Sequence, residues 1–157
     1  MKELPVVKSS QLASTAIRTL LAATRVPMRL ACNDSAGFPL VCSLWFTCAE
    51  DAGETVLWCA SHESSHLVKV LLANNKVGFD IGVNTPPYKG VRGQGTASLV
   101  REGAAEILTT LLHRYDIGSD SSLGQWLLSR VDGEYAIRIA IKRISAWDYT
   151  RRMAATS

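Results

Sequence analysis

The chain is poor in the residues that build most metal and redox centres. It has three histidines and four cysteines in 157 residues, and Cys32, Cys42, Cys48 and Cys59 form no Cys-x-x-Cys pair. That spacing excludes a thioredoxin-type motif and a zinc knuckle. All four cysteines lie in or beside strand-like sequence, so they are expected as small apolar core residues in a reducing compartment. No stretch reaches the roughly 18 consecutive apolar residues of a membrane span. Residues 1–8 lack the apolar core of a secretory signal. The charge excess is small, 17 Lys and Arg against 14 Asp and Glu, with no clustered basic patch to argue for nucleic acid. A cytoplasmic location is therefore expected, with no membrane and no nucleic-acid partner. A Walker loop and a G-x-S-x-G elbow are also missing, which leaves an NTPase or an elbow-type hydrolase without support. What is abundant is apolar: 47% hydrophobic against 20% charged. A chain of this length buries a core without disulfide or metal staples, and residues 1–157 are expected to form a single domain, with 1–24 as an N-terminal helical extension.

Period-two patterns dominate the remainder. Over residues 39–47, Leu40, Cys42, Leu44 and Phe46 share one face of a strand, and Val41, Ser43, Trp45 and Thr47 the other. A polar turn at 49–54 leads to a second strand at 55–60, a hairpin pattern. Further strands are expected at 28–32, 76–84, 91–100 and 135–142. Helical spacing marks 9–24, with Ser9 or Ser10 as the cap, and then 64–74, 103–115 and 121–130. About six strands in one small domain point to a closed or nearly closed antiparallel barrel with helices outside.

Two motifs compete for attention. His62-Glu63-Ser64-Ser65-His66 fits the H-E-x-x-H zinc pattern, which needs both histidines one turn apart on a helix. Ser64 and Ser65 read as helix caps, so His62 is expected before the helix and no metal site is assigned. The same helix start offers free N–H groups and hydroxyls suited to a phosphate, with plain capping as the alternative. Residues 90–95 (GVRGQG) lack the G-x-G-x-x-G order and lead into a strand. Glycine there marks a bulge or a close approach of another backbone or a ligand.

The order of these pieces resembles the pyridoxamine 5′-phosphate oxidase-like FMN-binding split-barrel family over roughly residues 25–150. The resemblance rests on the hairpin, the Ser-rich helix start, Asn74-Asn75-Lys76-Val77, the stretch PPYKGVRGQGTA, and the closing Lys142-Arg143-Ile144-Ser145-Ala146-Trp147. It implies a mainly β (α+β), six-stranded antiparallel split barrel of Greek-key type with peripheral helices. It also implies a homodimer with FMN in each of two clefts between subunits. The family's first flavin-binding strand falls on about Val41 to Phe46, with Val41, Ser43, Leu44 and Trp45 as the residues implied to bind. The family's aromatic-hydroxyl pair falls on Ala60 and Ser61, beside Cys59, with the aromatic ring lost. Its Ser-Arg-Lys phosphate grip falls on Ser65, His66 and Leu67, next to Ser64. The lysine is replaced by an apolar residue, so His66 or Lys69 has to compensate, with Arg29, Lys89 or Arg92 as further choices. The family's glutamine falls on Gly90, with Gln94 near it and Arg92 between. Gly95 and Ala97 match a Gly-x-Ala strand, and Arg143, Ile144 and Trp147 match the family's ending, in which the tryptophan packs near the flavin.

Residues 148–157 (DYTRRMAATS) lack the Arg-x-His stretch with which the true oxidases grip pyridoxal phosphate. The resemblance thus implies an FMN-binding oxidoreductase of unknown small-molecule substrate, not a true pyridoxamine phosphate oxidase. The alternatives are a non-catalytic flavin- or haem-binding module, or an F420-dependent reductase on the same fold. A flavin supplies hydride and electron transfer itself, so no catalytic dyad is required of the protein.

Overall fold

The computed structural model describes residues 2–154. Seven antiparallel strands form one sheet: β1 (Met28–Asn33), β2 (Pro39–Leu44), β3 (Thr47–Asp51), β4 (Glu54–His62), β5 (Lys76–Gly82), β6 (Lys89–Val100) and β7 (Glu134–Asp148). Their order across the sheet is β2-β1-β5-β6-β7-β4-β3. The two edge strands, β2 and β3, are successive pieces of one chain segment, so the sheet curls back on itself and its edges meet at Trp45 and Phe46. Curling removes the unpaired edges that an open sheet would expose.

This is where the sixfold expectation fails. The strand expected over 39–47 is broken after Leu44, and its second half extends to Asp51 and pairs with β4, Thr47 opposite Trp58. The alternation itself holds through the break, and Phe46 is fully buried. The polar stretch 49–54, expected as a turn, is mostly strand. The reversal needs only Ala52 and Gly53, both at positive φ, the geometry of a two-residue hairpin turn.

Five helices accompany the sheet: α1 (Ser14–Ala23), α2 (His66–Ala73), α3 (Ala104–Arg114), α4 (Ser122–Ser129) and α5 (Thr150–Ala154). The first four stand where the apolar spacing puts them; α5 was not expected. Helix α1 starts later than expected and without a side-chain cap. Residues ahead of it are engaged with β7 instead. Val7 donates to the Ile144 carbonyl at 3.0 Å, and the Ser10 hydroxyl accepts from the Ala146 N–H at 2.9 Å. Ile17 and Leu21 of α1 are fully buried in the same core as Leu30, Leu57, Ile137 and Ile139. Among the described residues no helix is long and apolar enough to cross a membrane.

The glycines of the GVRGQG stretch mark close approaches. A Cβ on Gly90 would lie 2.6 Å from the Ile81 carbonyl, and one on Gly95 2.5 Å from that of Ala140. The β6–β7 ladder also slips between Gln94 and Gly95, pairing them with Arg143 and Ile141 and leaving Lys142 as the extra residue of a bulge.

Candidate functional site

The break between β2 and β3 builds the first wall of a cleft. Leaving the ladder frees the Phe46 N–H, which donates to the Tyr115 hydroxyl at 3.3 Å. The Tyr115 ring stacks on Trp45, centroids 5.5 Å apart and planes 21° from parallel. The end of α3 therefore fixes both the backbone and the indole at the break. Ser43, Leu44 and Trp45 line the cleft.

The second wall is the end of β4 and the start of α2. Ser65 caps α2, its hydroxyl accepting from the Val68 N–H at 3.1 Å. The Ser61 hydroxyl lies 2.8 Å from that of Ser65. Ala60, Ser61, Ser64 and Ser65 all line the same cleft, whose volume is about 430 Å³. His62 ends β4 and His66 opens α2, so the two do not share a helix as the H-E-x-x-H reading requires. The Nδ1 of His62 accepts from the Ser64 N–H at 3.2 Å and lies 2.8 Å from the Ser64 hydroxyl.

The third wall carries no signal in the sequence reading. It comes from Leu108 and Leu111 of α3, Trp126 and Leu127 of α4, and Arg130 and Glu134 just beyond. The helical spacing at Trp126 is that of a core residue, yet the indole is 53% exposed. The Arg130 guanidinium lies over its ring, 4.4 Å from the centroid, a cation–π contact. Glu134 is buried, and burial pushes its carboxyl above the usual range while His62 and Arg130 pull it down.

Seven of the fourteen expected site residues thus meet in one cleft. The others do not. His66 and Lys69 are exposed on α2 and line no part of it. Helix α2 buries Leu67, Val68, Val70 and Leu71 against the barrel, which turns these two side chains outward. Cys59 is enclosed in the core, where burial drives its thiol up to about 12. Cys48 is raised to about 11 for the same reason. Val41, Arg92 and Gln94 lie in a second groove of about 530 Å³ on the outward face of the sheet, beside Arg29 and Arg143. Trp147 packs against Gly82 and Gly90. Among the described residues its buried Nε1 has no hydrogen-bond partner, and the Arg92 guanidinium stands 5.7 Å from the ring centroid.

No family model and no curated protein matches the chain. Solved structures do. A conserved hypothetical protein from Mycobacterium tuberculosis superposes with a TM-score of 0.74 at 18% identity, covering 98% of this chain and 93% of that one. An F420 reductase gives 0.64 at 22% identity, covering 82% and 94%. A candidate pyridoxamine 5′-phosphate oxidase from Listeria innocua gives 0.60 at 19% identity, covering 87% and 97%. These likenesses define the class: the fold is the split barrel of pyridoxamine 5′-phosphate oxidase-like proteins, as the sequence resemblance implied. Its relatives in structure include reductases and oxidase-like proteins.

Proposed function

We propose that the protein binds FMN in the cleft between Trp45 and the start of α2 and acts as a flavin-dependent oxidoreductase on a small molecule. One observation carries the reading. Two stretches on either side of the β3–β4 hairpin, 43–45 and 60–65, supply residues assigned to flavin, and they meet in one cleft. The residues suit the group: an aromatic and apolar wall for a planar ring, and clustered hydroxyls at a helix start for an anion. Bound flavin would supply the hydride chemistry. Trp45, held by Tyr115, orients the ring and keeps water from one side. Ser61, Ser64 and Ser65 bind the phosphate, with the α2 N–H groups behind them. Residues 148–157 carry no Arg-x-His grip, which favours a substrate other than pyridoxamine phosphate.

Two measurements test this. Titration should show FMN binding more tightly than riboflavin, which lacks the phosphate. Ser61→Ala should then weaken FMN about tenfold and leave riboflavin unchanged, the worth of one hydrogen bond to a charged group. Equal losses for both ligands would place the phosphate elsewhere.

The same reading makes the protein a homodimer. The outward face of β1, β5, β6 and β7 carries Ala31 and Gly78 between Arg29, Arg92 and Arg143, and among the described residues no helix lines that groove. Val41 beside it is 61% exposed. A second copy laid there would cover the face and bring Arg92 and Gln94 toward a shared site. Sedimentation at micromolar concentration is expected to give a dimer, and Val41→Glu a monomer. A wild-type monomer would remove the basis for a site shared between subunits.

A further inference from the structure

Two rows of residues cross the outward face of the sheet. Arg29, Asp80, Arg92 and Ser145 stand opposite one another across β1, β5, β6 and β7, and Ala31, Gly78, Gln94 and Arg143 form the next row. The residues that alternate with them along the strands, such as Leu30, Phe79 and Ile144, belong to the core, so both rows point away from it. They line the groove of about 530 Å³ that also holds Val41, and it shares no lining residue with the serine cleft. Its floor is low at Ala31 and Gly78; a Cβ on Gly78 would meet nothing nearer than 3.8 Å. The charged groups of the lining are three guanidiniums and one carboxylate, an excess of two positive charges. Among the described residues none of the four forms an ion pair. Arg29 is oriented by its Nη1, which donates to the Pro27 carbonyl at 2.7 Å, and Arg92 by the Trp147 ring. Arg92 and Arg143 are diagonal neighbours on β6 and β7, about 7–8 Å apart in the backbone, so both forks can reach one anion. An adjoining groove shares Ala31, Gly78 and Gln94 and adds Lys76 and Lys142 with no carboxylate.

A plain solvated face accounts for exposed arginines, but not for their gathering round a hollow with a single acid. Two copies laid together on this face would bring four excess positive charges into one seam. Like charges in a closed interface oppose association, so the seam calls for anions, two charges for each copy. We propose that the groove binds a small dianion of the phosphate monoester or dicarboxylate class, and that filling it tightens the pairing of two copies through this face. Arg92 and Arg143 supply the two forks. Arg29 adds its charge from the far side of Asp80, about 10 Å from Arg92 in the backbone. Asp80 lies between them and weakens the grip by its own charge. The tightening rests on the homodimer reading above; the site also stands on the unpaired guanidiniums around the hollow.

Calorimetric titration of the full chain at about pH 7.5 tests the site with phenyl phosphate, mostly dianionic at that pH, and with succinate. Phenol and succinamide are the uncharged counterparts. At least one dianion is expected to bind and neither neutral compound, and the dianion that binds more tightly names the source. Arg143→Ala should weaken it about tenfold, the worth of a hydrogen bond between charged groups. Lys69→Ala removes the same charge from α2 and should leave the affinity unchanged. Asp80→Asn removes a repelling charge and should tighten binding about fivefold. Sedimentation with and without the dianion tests the pairing. The dimer dissociation constant of the wild type should fall about tenfold at saturation, and that of Arg143→Ala should not move. No binding of either dianion, or equal losses in Arg143→Ala and Lys69→Ala, overturns the site. Binding that leaves the dimer constant unchanged overturns the tightening, and a wild type that is monomeric with and without the dianion removes the homodimer reading as well. FMN carries a phosphate of its own. If FMN-loaded protein no longer takes up the dianion and Arg143→Ala weakens FMN too, the groove belongs to the flavin and the proposal fails.

Discussion

Arg114→Ala is expected to lower the unfolding free energy by about 3 kcal/mol. The Arg114 guanidinium closes the C-terminus of α1, donating to the carbonyls of Leu21 at 3.0 Å, Ala22 at 3.1 Å and Thr24 at 2.6 Å. Those are the carbonyls that a helix end leaves without partners. A cation there also meets the negative end of the helix dipole. The same guanidinium lies 5.2 Å from the centroid of the buried Phe46 ring. Removing it strands acceptors in a partly buried place and unpins α1 from α3. Hydrogen bonds from a charged donor contribute about 1.5–3 kcal/mol each, and their losses overlap when one group makes them all. For a chain of this size the melting temperature should drop by about 6–12 °C. Arg114→Lys should recover only part, since an ammonium cannot present the planar fork to three carbonyls. A loss under 1 kcal/mol in denaturant titration would show that α1 is held by its apolar face alone. The effect should reach the cleft too, because Tyr115 beside Arg114 is what holds Trp45.

That coupling explains which parts of the molecule the sequence revealed. Local periodicity located six of the seven strands and four of the helices, because each buries one face: Leu40, Cys42, Leu44 and Phe46 point inward as their spacing says. It missed β3, whose residues 49–51 carry the pattern of a turn. It could not show that the strand breaks after Leu44, since the hydroxyl that accepts the freed Phe46 N–H belongs to Tyr115, 69 residues away. The serines at 61, 64 and 65 were legible because capping chemistry is local. The α3–α4 wall was not. Leu108, Leu111 and Trp126 have the spacing of ordinary core residues, and only the tertiary arrangement turns them toward a cleft. Glu134 starts a strand after Gly133 and carries no local mark of the cleft it lines. His66 and Lys69 show the converse error. Their nearness in sequence to the helix start made them attractive, but the 3.6-residue period turns them away from it.

The glycine-rich stretch carries the last expectation: Gly93→Val should cost about 3 kcal/mol or more and lower the melting temperature by about 6–12 °C. A Cβ on Gly93 would come within 2.3 Å of the Phe79 ring and 2.5 Å of the Arg143 carbonyl. Phe79 is the cross-strand partner of Gly93, and only 4% of it is exposed. Its ring lies over the bare backbone of β6 and fills the space a side chain would take. The ring can swing aside at some loss of packing, but the carbonyl belongs to the β6–β7 ladder and cannot. Gly78→Ala on the adjacent strand provides the contrast. Its Cβ would meet nothing nearer than 3.8 Å, so its effect should stay within about 1 kcal/mol, offset by the entropy that alanine removes from the unfolded chain. Similar losses at both positions would mean that glycine acts through backbone freedom and not through the close approach. Combining Gly93→Val with Phe79→Leu separates the two contacts: if the ring is the main obstacle, the double variant should lose at least about 0.5 kcal/mol less than the sum of the singles. If the carbonyl dominates, the losses should add, and the stretch is confined by the ladder itself.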